Sequence, residues 1–334
     1  MTPLPRIPPL VDRFGRRHTY VRISVTDRCN FRCVYCMPEE GLSWMPRSEL
    51  LSYEEIVRVM SVFAPMGVRK VRLTGGEPTL RADIESLIEG LAGIPGIDDI
   101  AMTTNGLTLD HLAPRLAAAG LTRVNISIDS VDAERFRRLT RGGDLARVLR
   151  GIEAARTAGL TPIKLNAVVL KGENEEDLDG LVDWAGQWPD DLELRFIEYM
   201  PFAARWHRSV ASSELRRRLG ERLTLTPDRA RGPTDGPARM WRVEATGLRV
   251  GFISPLSEHF CARCNRLRLQ ADGHLRTCLA HEDTPSLRDL VRNGADDTTL
   301  ERAIRAMVMG KPEGHDCGLD DGTVFEGVMT GIGG

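Results

Sequence analysis

Between Tyr20 and Ile197 the chain switches repeatedly between strand-like and helix-like periodicity. Strand patterns fall at Tyr20–Thr26, Val68–Thr74, Asp99–Thr103, Arg123–Ile128, Pro162–Val169 and Leu192–Ile197. Helical patterns fill the intervals: from a Ser52 cap to about Met66, then Ala82–Ala92, Leu109–Ala119, Ala133–Leu139 with Leu145–Ala158, and Glu175–Gln187. Such alternation predicts parallel βαβ units. Six units are too few for a closed eightfold barrel. The expected fold is therefore α/β, an open partial (β/α)6 barrel, with a doubly wound sheet as the structural alternative. The pattern stops near residue 220, and Thr226–Ala238, rich in Pro, Gly and Arg, reads as a linker or surface loop. Beyond it, short strands at Trp241–Glu244, Leu248–Phe252 and Arg266–Gln270 and two helical stretches predict a C-terminal α+β extension. The expected organisation is a lead-in over 1–14, the partial barrel over 15–225 and the extension over 226–334.

Unusual polar motifs follow five of the six strands directly: the cysteine run after the first, Thr74-Gly75-Gly76-Glu77-Pro78, Thr103-Thr104-Asn105-Gly106, Ser127-Ile128-Asp129 and Glu198-Tyr199-Met200. Barrel active sites assemble at the C-terminal ends of strands. Gly75 and Gly76, without side chains, would let a ligand approach the backbone.

Six of the seven cysteines form two trios, Cys29-x3-Cys33-x2-Cys36 and Cys261-x2-Cys264-x13-Cys278. No apolar run would span a bilayer, and the start lacks the pattern of a secretory signal. A cytoplasmic location is expected, where grouped cysteines bind metal or catalyse sooner than they pair as disulfides. Structural zinc wants four closed ligands, whereas three thiolates on a four-iron cube leave one iron open. On spacing alone the first trio suits zinc and iron–sulfur equally, with His18 the nearest fourth donor. For the second trio, His259 or His274 would complete a zinc ribbon. Cys317 reads as a lone thiol without a role.

The first trio with Tyr35 before its last cysteine, joined to Gly75-Gly76-Glu77, resembles the radical S-adenosylmethionine (SAM) superfamily. The run Ser254–Leu269 with Cys278 beyond it, Arg22, Thr26–Phe31 and the terminal Gly333-Gly334 are similar to the GTP 3′,8-cyclase family of molybdenum cofactor biosynthesis, over residues 15 to 334. The resemblance implies a radical SAM barrel with a second Fe-S cluster in its C-terminal extension. It implies two 4Fe-4S clusters, one on Cys29, Cys33 and Cys36 that binds SAM, the other on Cys261, Cys264 and Cys278 facing the guanine base. It places SAM on Tyr35, Gly76, Ser127 and Met200, and GTP on Arg22, Arg72, Thr103, Lys164, Arg266, the Leu267 backbone and Arg268. Lys70, Arg195 and the Gly333-Gly334 tail join the catalytic machinery. The implied reaction is that of a lyase: a 5′-deoxyadenosyl radical takes hydrogen from ribose C3′, and C3′ then closes on guanine C8. The implied partners are GTP, an electron donor such as flavodoxin or ferredoxin, and the downstream cyclic pyranopterin monophosphate synthase. A homodimer is allowed for; no membrane or nucleic acid is expected.

Strand alternation supports the basic pocket independently. Lys70, Arg72 and Thr74 share one face of their strand, as do Lys164 and Asn166, and Arg266 and Arg268. Helices cover the outer face of a parallel barrel, so charges on these strands must face a polar interior or be buried at great cost. Two other readings are weaker. A peptide-modifying radical SAM enzyme would carry more C-terminal cysteines and a peptide-binding element. A zinc protein that binds nucleic acid fits poorly with a net charge of −2 and 5% aromatics.

Overall fold

A computed structural model describes residues 7–202, 209–228, 236–281, 285–315 and 317–319. The six expected strands form as β1 (Tyr20–Ser24), β2 (Lys70–Thr74), β3 (Asp99–Thr104), β4 (Arg123–Ser127), β5 (Ile163–Val169) and β6 (Leu192–Glu198). They pair in parallel in chain order. Helices α1 (Tyr53–Phe63), α2 (Ile84–Ala92), α3 (Leu109–Ala118), α4 (Ala133–Thr140), α5 (Leu145–Thr157) and α6 (Leu178–Ala185) fill the crossovers. Ser52 caps α1 as expected: its Oγ accepts from Glu55 N at 3.1 Å, and Glu55 Oε2 accepts from Ser52 N at 2.7 Å.

The C-terminal part is less separate than the sequence suggested. After α7 (Ser212–Gly220), where no element was expected, come β7 (Leu225–Pro227), β8 (Arg239–Val243), β9 (Arg249–Ile253), β10 (Arg266–Leu269) and β11 (Leu275–Arg276), then α8 (Leu287–Arg292) and α9 (Asp297–Met309). All eleven strands belong to one sheet, ordered β11-β10-β1-β2-β3-β4-β5-β6-β9-β8-β7. β10 pairs in parallel with β1, and β9 with β6, so the parallel run extends from six strands to eight. Antiparallel β11 and the β8–β7 pair finish the two edges, which do not pair with each other among the described residues. The wall is an unclosed barrel, as expected, and a doubly wound sheet is not what forms.

The outward face packs Val21, Ile23, Val71, Leu73, Val124, Ile126, Leu165 and Leu194 into one core with the helices. The inward face stacks polar residues by register. Arg266, Tyr20, Lys70 and Asp99 lie in one row across β10, β1, β2 and β3; Arg268, Arg22 and Arg72 form the next. Among the described residues no helix is long and apolar enough to cross a membrane.

Candidate active site

The inward rows and the strand-end loops enclose a cavity of about 340 Å³. All five strand-end motifs contribute to it, together with both cysteine trios.

At the strand ends, β1 leaves its ladder after Ser24, two residues earlier than expected, because the Thr26 carbonyl turns to accept from Gly76 N at 2.7 Å. The Arg28 carbonyl accepts from Glu77 N at 2.7 Å. A Cβ on Gly76 would lie 2.2 Å from the Arg28 oxygen, and one on Gly75 (φ +153°) 2.5 Å from that of Thr26. The glycines therefore let the backbone leading into the cysteine loop come close. This packing role stands beside the expected approach of a ligand, since both glycines also line the cavity. Three buried carboxylates bind the loops to one another. Glu77 accepts from Thr79 N, Thr79 Oγ1, Thr104 Oγ1 and Asn105 N at 2.6–3.1 Å. Asp129 accepts from the Tyr35 hydroxyl at 2.7 Å and from Val168 N at 2.9 Å, and burial raises its pKa to about 6. Glu198 accepts from Ser212 N, Leu256 N and Ser257 N at 2.8–3.1 Å and from the Ser257 hydroxyl.

The first cysteine loop is held against the end of α4: Arg32 N donates to Thr140 O and Val34 N to Leu139 O, at 3.1 and 2.9 Å. Burial pushes Cys29 up to about 11 and Cys33 well above the ordinary thiol range, Cys33 further because Cys36 and Cys29 lie beside it. Such sulfurs become thiolates only with a cationic centre to bind. At the other trio burial raises Cys261, whereas Cys264 falls to about 6 because Arg266 and Lys311 outweigh its burial. The histidines considered as fourth donors are engaged elsewhere. His18 bonds Asp12 at 3.1 Å, His274 pairs with Asp272 at 3.0 Å, and His259 lies 3.1 Å from the Cys317 carbonyl. His315 lines the cavity beside Cys261 and stacks on His259 at 4.7 Å. Among the described residues no three His, Cys, Asp or Glu side chains close around a single ion. Two open sets of three sulfurs facing one cavity fit iron–sulfur clusters with an open iron better than closed zinc.

The lining also carries seven basic side chains: Arg22, Lys70, Arg72, Lys164, Arg195, Arg266 and Arg268. Burial lowers Arg72 to about 10 and Arg268 to about 9, with the neighbouring cations adding to the effect. Lys164 falls to about 7 through burial and then Arg195. The buried Nε atoms of Arg22, Arg72 and Arg268, and Oδ1 of Asn125 and of Asn166, have no hydrogen-bond partner. Orphaned buried groups on this scale require an explanation, and a polyanionic ligand supplies one for the three guanidinium donors. Carboxylates answer only part of the charge: Asp99 pairs with Lys70 at 3.3 Å, and Glu193 pairs with Arg195. Thr103, Tyr35, Gly76, Ser127 and Met200 also line the cavity. Leu267 does not. Its side chain is fully buried in the core, so only its backbone is available. Gly333 and Gly334 lie outside the described residues.

Among the lining residues missed from sequence are Tyr20 and Asn125. Alternation contained the signal, since Tyr20 shares a face with Arg22 and Asn125 with Ser127. Lys70 Nζ and Arg72 Cζ sit 5.1 and 5.7 Å from the centre of the Tyr20 ring. Burial pushes this phenol up, but Arg72, Arg22, Lys70 and Arg266 prevail and bring it down to about 7.

Comparison with known proteins agrees with this geometry. Residues 23–185 match the radical SAM superfamily, and residues 192–317 match Molybdenum Cofactor Synthesis C. The GTP 3′,8-cyclase of Pseudomonas syringae pv. syringae is 46% identical over 98% of this chain and 99% of its own. That of Listeria monocytogenes is 44% identical over 93% of each chain. The chain belongs to the GTP 3′,8-cyclase family. Among solved structures, SuiB of Streptococcus suis bound to S-adenosylmethionine matches with a TM-score of 0.59 at 16% identity, covering 86% of this chain and 68% of its own. At that identity the likeness is one of fold. The junction of the two family matches, between residues 185 and 192, falls between α6 and β6, inside the continuous sheet. In this GTP 3′,8-cyclase family member, therefore, the second match supplies part of the barrel wall as well as the second trio. Radical SAM membership brings an Fe-S cluster and SAM.

Proposed function

We propose that this chain cyclises GTP to 3′,8-cyclo-7,8-dihydro-GTP, the first step of molybdenum cofactor biosynthesis, using two 4Fe-4S clusters. The observation that carries the reading is that both cysteine trios and seven cationic side chains line a single cavity. Cys29, Cys33 and Cys36 would hold the first cluster, and Cys261, Cys264 and Cys278 the second. With SAM bound, the first cluster supplies a carbon radical able to take hydrogen from an unactivated C–H bond.

The protein's own residues bind and orient. A triphosphate carries roughly four negative charges, and guanidinium forks match its oxygens. Arg22, Arg72, Arg266 and Arg268, with Lys164, Lys70 and Arg195, would answer that charge; Thr103 and the Leu267 backbone would complete the GTP contacts. Tyr35, Gly76, Ser127 and Met200 would hold SAM at the strand-end side. Held in this way, ribose C3′ loses its hydrogen and bonds to guanine C8 in an intramolecular step whose rate gains from orientation. The apolar shell and the bound substrates exclude water. An external one-electron donor such as flavodoxin or ferredoxin supplies one electron for the cleavage of SAM and a second that, with a proton from solvent, quenches the cyclised radical to the 7,8-dihydro product. Cyclic pyranopterin monophosphate synthase receives the product.

The test is anaerobic turnover with GTP deuterated at C3′, SAM and dithionite, with mass analysis of both products. The expected result is a cyclised GTP and 5′-deoxyadenosine carrying the deuterium. Unlabelled deoxyadenosine, or GTP recovered intact, refutes it.

A further inference from the structure

The second trio is fastened from behind by a buried lysine, Lys311. After α9 the chain turns at Gly310 and buries Lys311, which is 2% exposed. Its Nζ donates to the Arg266 carbonyl at 2.9 Å and to the Thr277 carbonyl, and it lies 3.8 Å from Cys264 Sγ. Arg266 follows Cys264 by two residues and Thr277 precedes Cys278. One ammonium thus joins the two segments that carry these cysteines. A parallel clasp holds the third. Arg16, fixed by Asp12 at 2.6 Å, donates to the Cys261 carbonyl at 3.0 Å and to the carbonyls of Glu313 and Pro312 at 2.6 Å. Gly314 lets this strap close, since a Cβ there would sit 3.2 Å from Cys261 Cβ. Among the described residues no carboxylate forms a salt bridge with Lys311. A buried cation needs an anion to offset lost hydration, and among the described residues the anion available is the sulfur set, with Cys264 Sγ 3.8 Å away.

We infer that Lys311 is a positioning residue of the second trio, whose ammonium both retains the cluster bound there and holds its reduced form accessible. The inference rests on the proposal that Cys261, Cys264 and Cys278 carry a cluster. Charges and hydrogen bonds near the sulfurs set the potential of such a cluster. A cation at this distance favours the state with the additional electron.

The test uses the full-length chain with Cys29, Cys33 and Cys36 replaced by Ala, so that only the second trio can bind iron. Iron and sulfide content of this protein examines the underlying reading first. If it holds neither, that reading fails whatever Lys311 does. Lys311→Gln and Lys311→Met are then made in the same background. Lys311→Gln keeps donors but no charge. It should retain iron, while the reduced-to-oxidised ratio at a fixed potential, read by electron paramagnetic resonance, falls about tenfold, ~59 mV for a one-electron couple. Lys311→Met removes donors as well, and its iron content should fall below half. Should Lys311→Met fail to fold by circular dichroism, Lys311→Gln alone decides. Full iron with an unchanged redox titration in the folded variants overturns the inference.

Discussion

Replacing Lys164 by Met should move stability and substrate binding in opposite directions. Lys164 lies in mid-β5, with Glu193 beside it in register and Arg195, Arg123 and Arg72 nearby. Burial, then those cations, bring its pKa from 10.5 to about 7 despite Glu193. Each pH unit is worth ~1.4 kcal/mol, and the side chain is only partly buried, so about 1–3 kcal/mol of folding free energy is spent on this charge. The sign follows from proton counting. Between about pH 7 and 10.5 the unfolded chain holds a proton that the folded chain has released, so wild-type stability climbs with pH in that window. Below pH 7 both states are protonated and the whole penalty remains. Met fills similar space without charge, so the variant should be about 1–3 kcal/mol more stable at pH 6.5, and its stability should depend less on pH up to 9. Urea unfolding of cluster-free protein measures this without coupling to iron loss. The same change removes a charge-assisted contact to the triphosphate, worth roughly 1.5–3 kcal/mol, so GTP affinity by anaerobic calorimetry should fall about 10- to 100-fold at pH 6.5. A variant less stable than wild type at pH 6.5, or one binding GTP within twofold of wild type, refutes the assignment of Lys164 to an unanswered positive cavity.

Gly76→Ala would drive a methyl group into the Arg28 and Asp27 carbonyls, 2.2 and 2.6 Å away. It should cost about 2–4 kcal/mol and lower the iron content of the first trio, whereas Gly220→Ala, with open space around it, should leave both unchanged. Glu198→Ala leaves two buried N–H groups, those of Ser212 and Leu256, and the part-buried N–H and hydroxyl of Ser257 without their acceptor. The expected loss is about 3 kcal/mol or more, read as a lower urea midpoint. Deleting Gly333 and Gly334 should abolish turnover while iron content and circular dichroism stay at wild-type values; a truncated protein with full activity would contradict a role for the tail.

The barrel was legible because each parallel strand announces itself by alternation between helices and each motif follows directly. β2, β4 and β6 appear within two residues of their predicted bounds. Inward-facing Lys70, Arg72, Lys164 and Arg268 could be picked out because the period of a strand is two. The edges were not legible. Arg249–Ile253 and Arg266–Leu269 read as short strands, but nothing local says that the second will pair with β1, some 246 residues earlier by the Arg22–Arg268 register. Helix α6 is shorter than predicted at its start because Asn174 binds the carbonyls of Asp129 and Val168 and accepts from Leu170 N, which holds the preceding turn open. Lys311 was invisible for another reason. One lysine after a helix has the pattern of a solvated surface charge, and only the folded chain reveals the carbonyls around it.

The partnership of β1 with β10 also bears on how the polypeptide is made. Residues 20–24 emerge from the ribosome 246 residues ahead of Arg266, counting from Tyr20. At about 5–20 residues per second, that backbone edge of β1 waits roughly 12–50 s for its neighbour. An unpartnered strand border invites association with other nascent chains. Synthesis in cells short of chaperones should therefore yield inclusion bodies before it yields misliganded iron, and slowing elongation between codons 25 and 265 should make this worse.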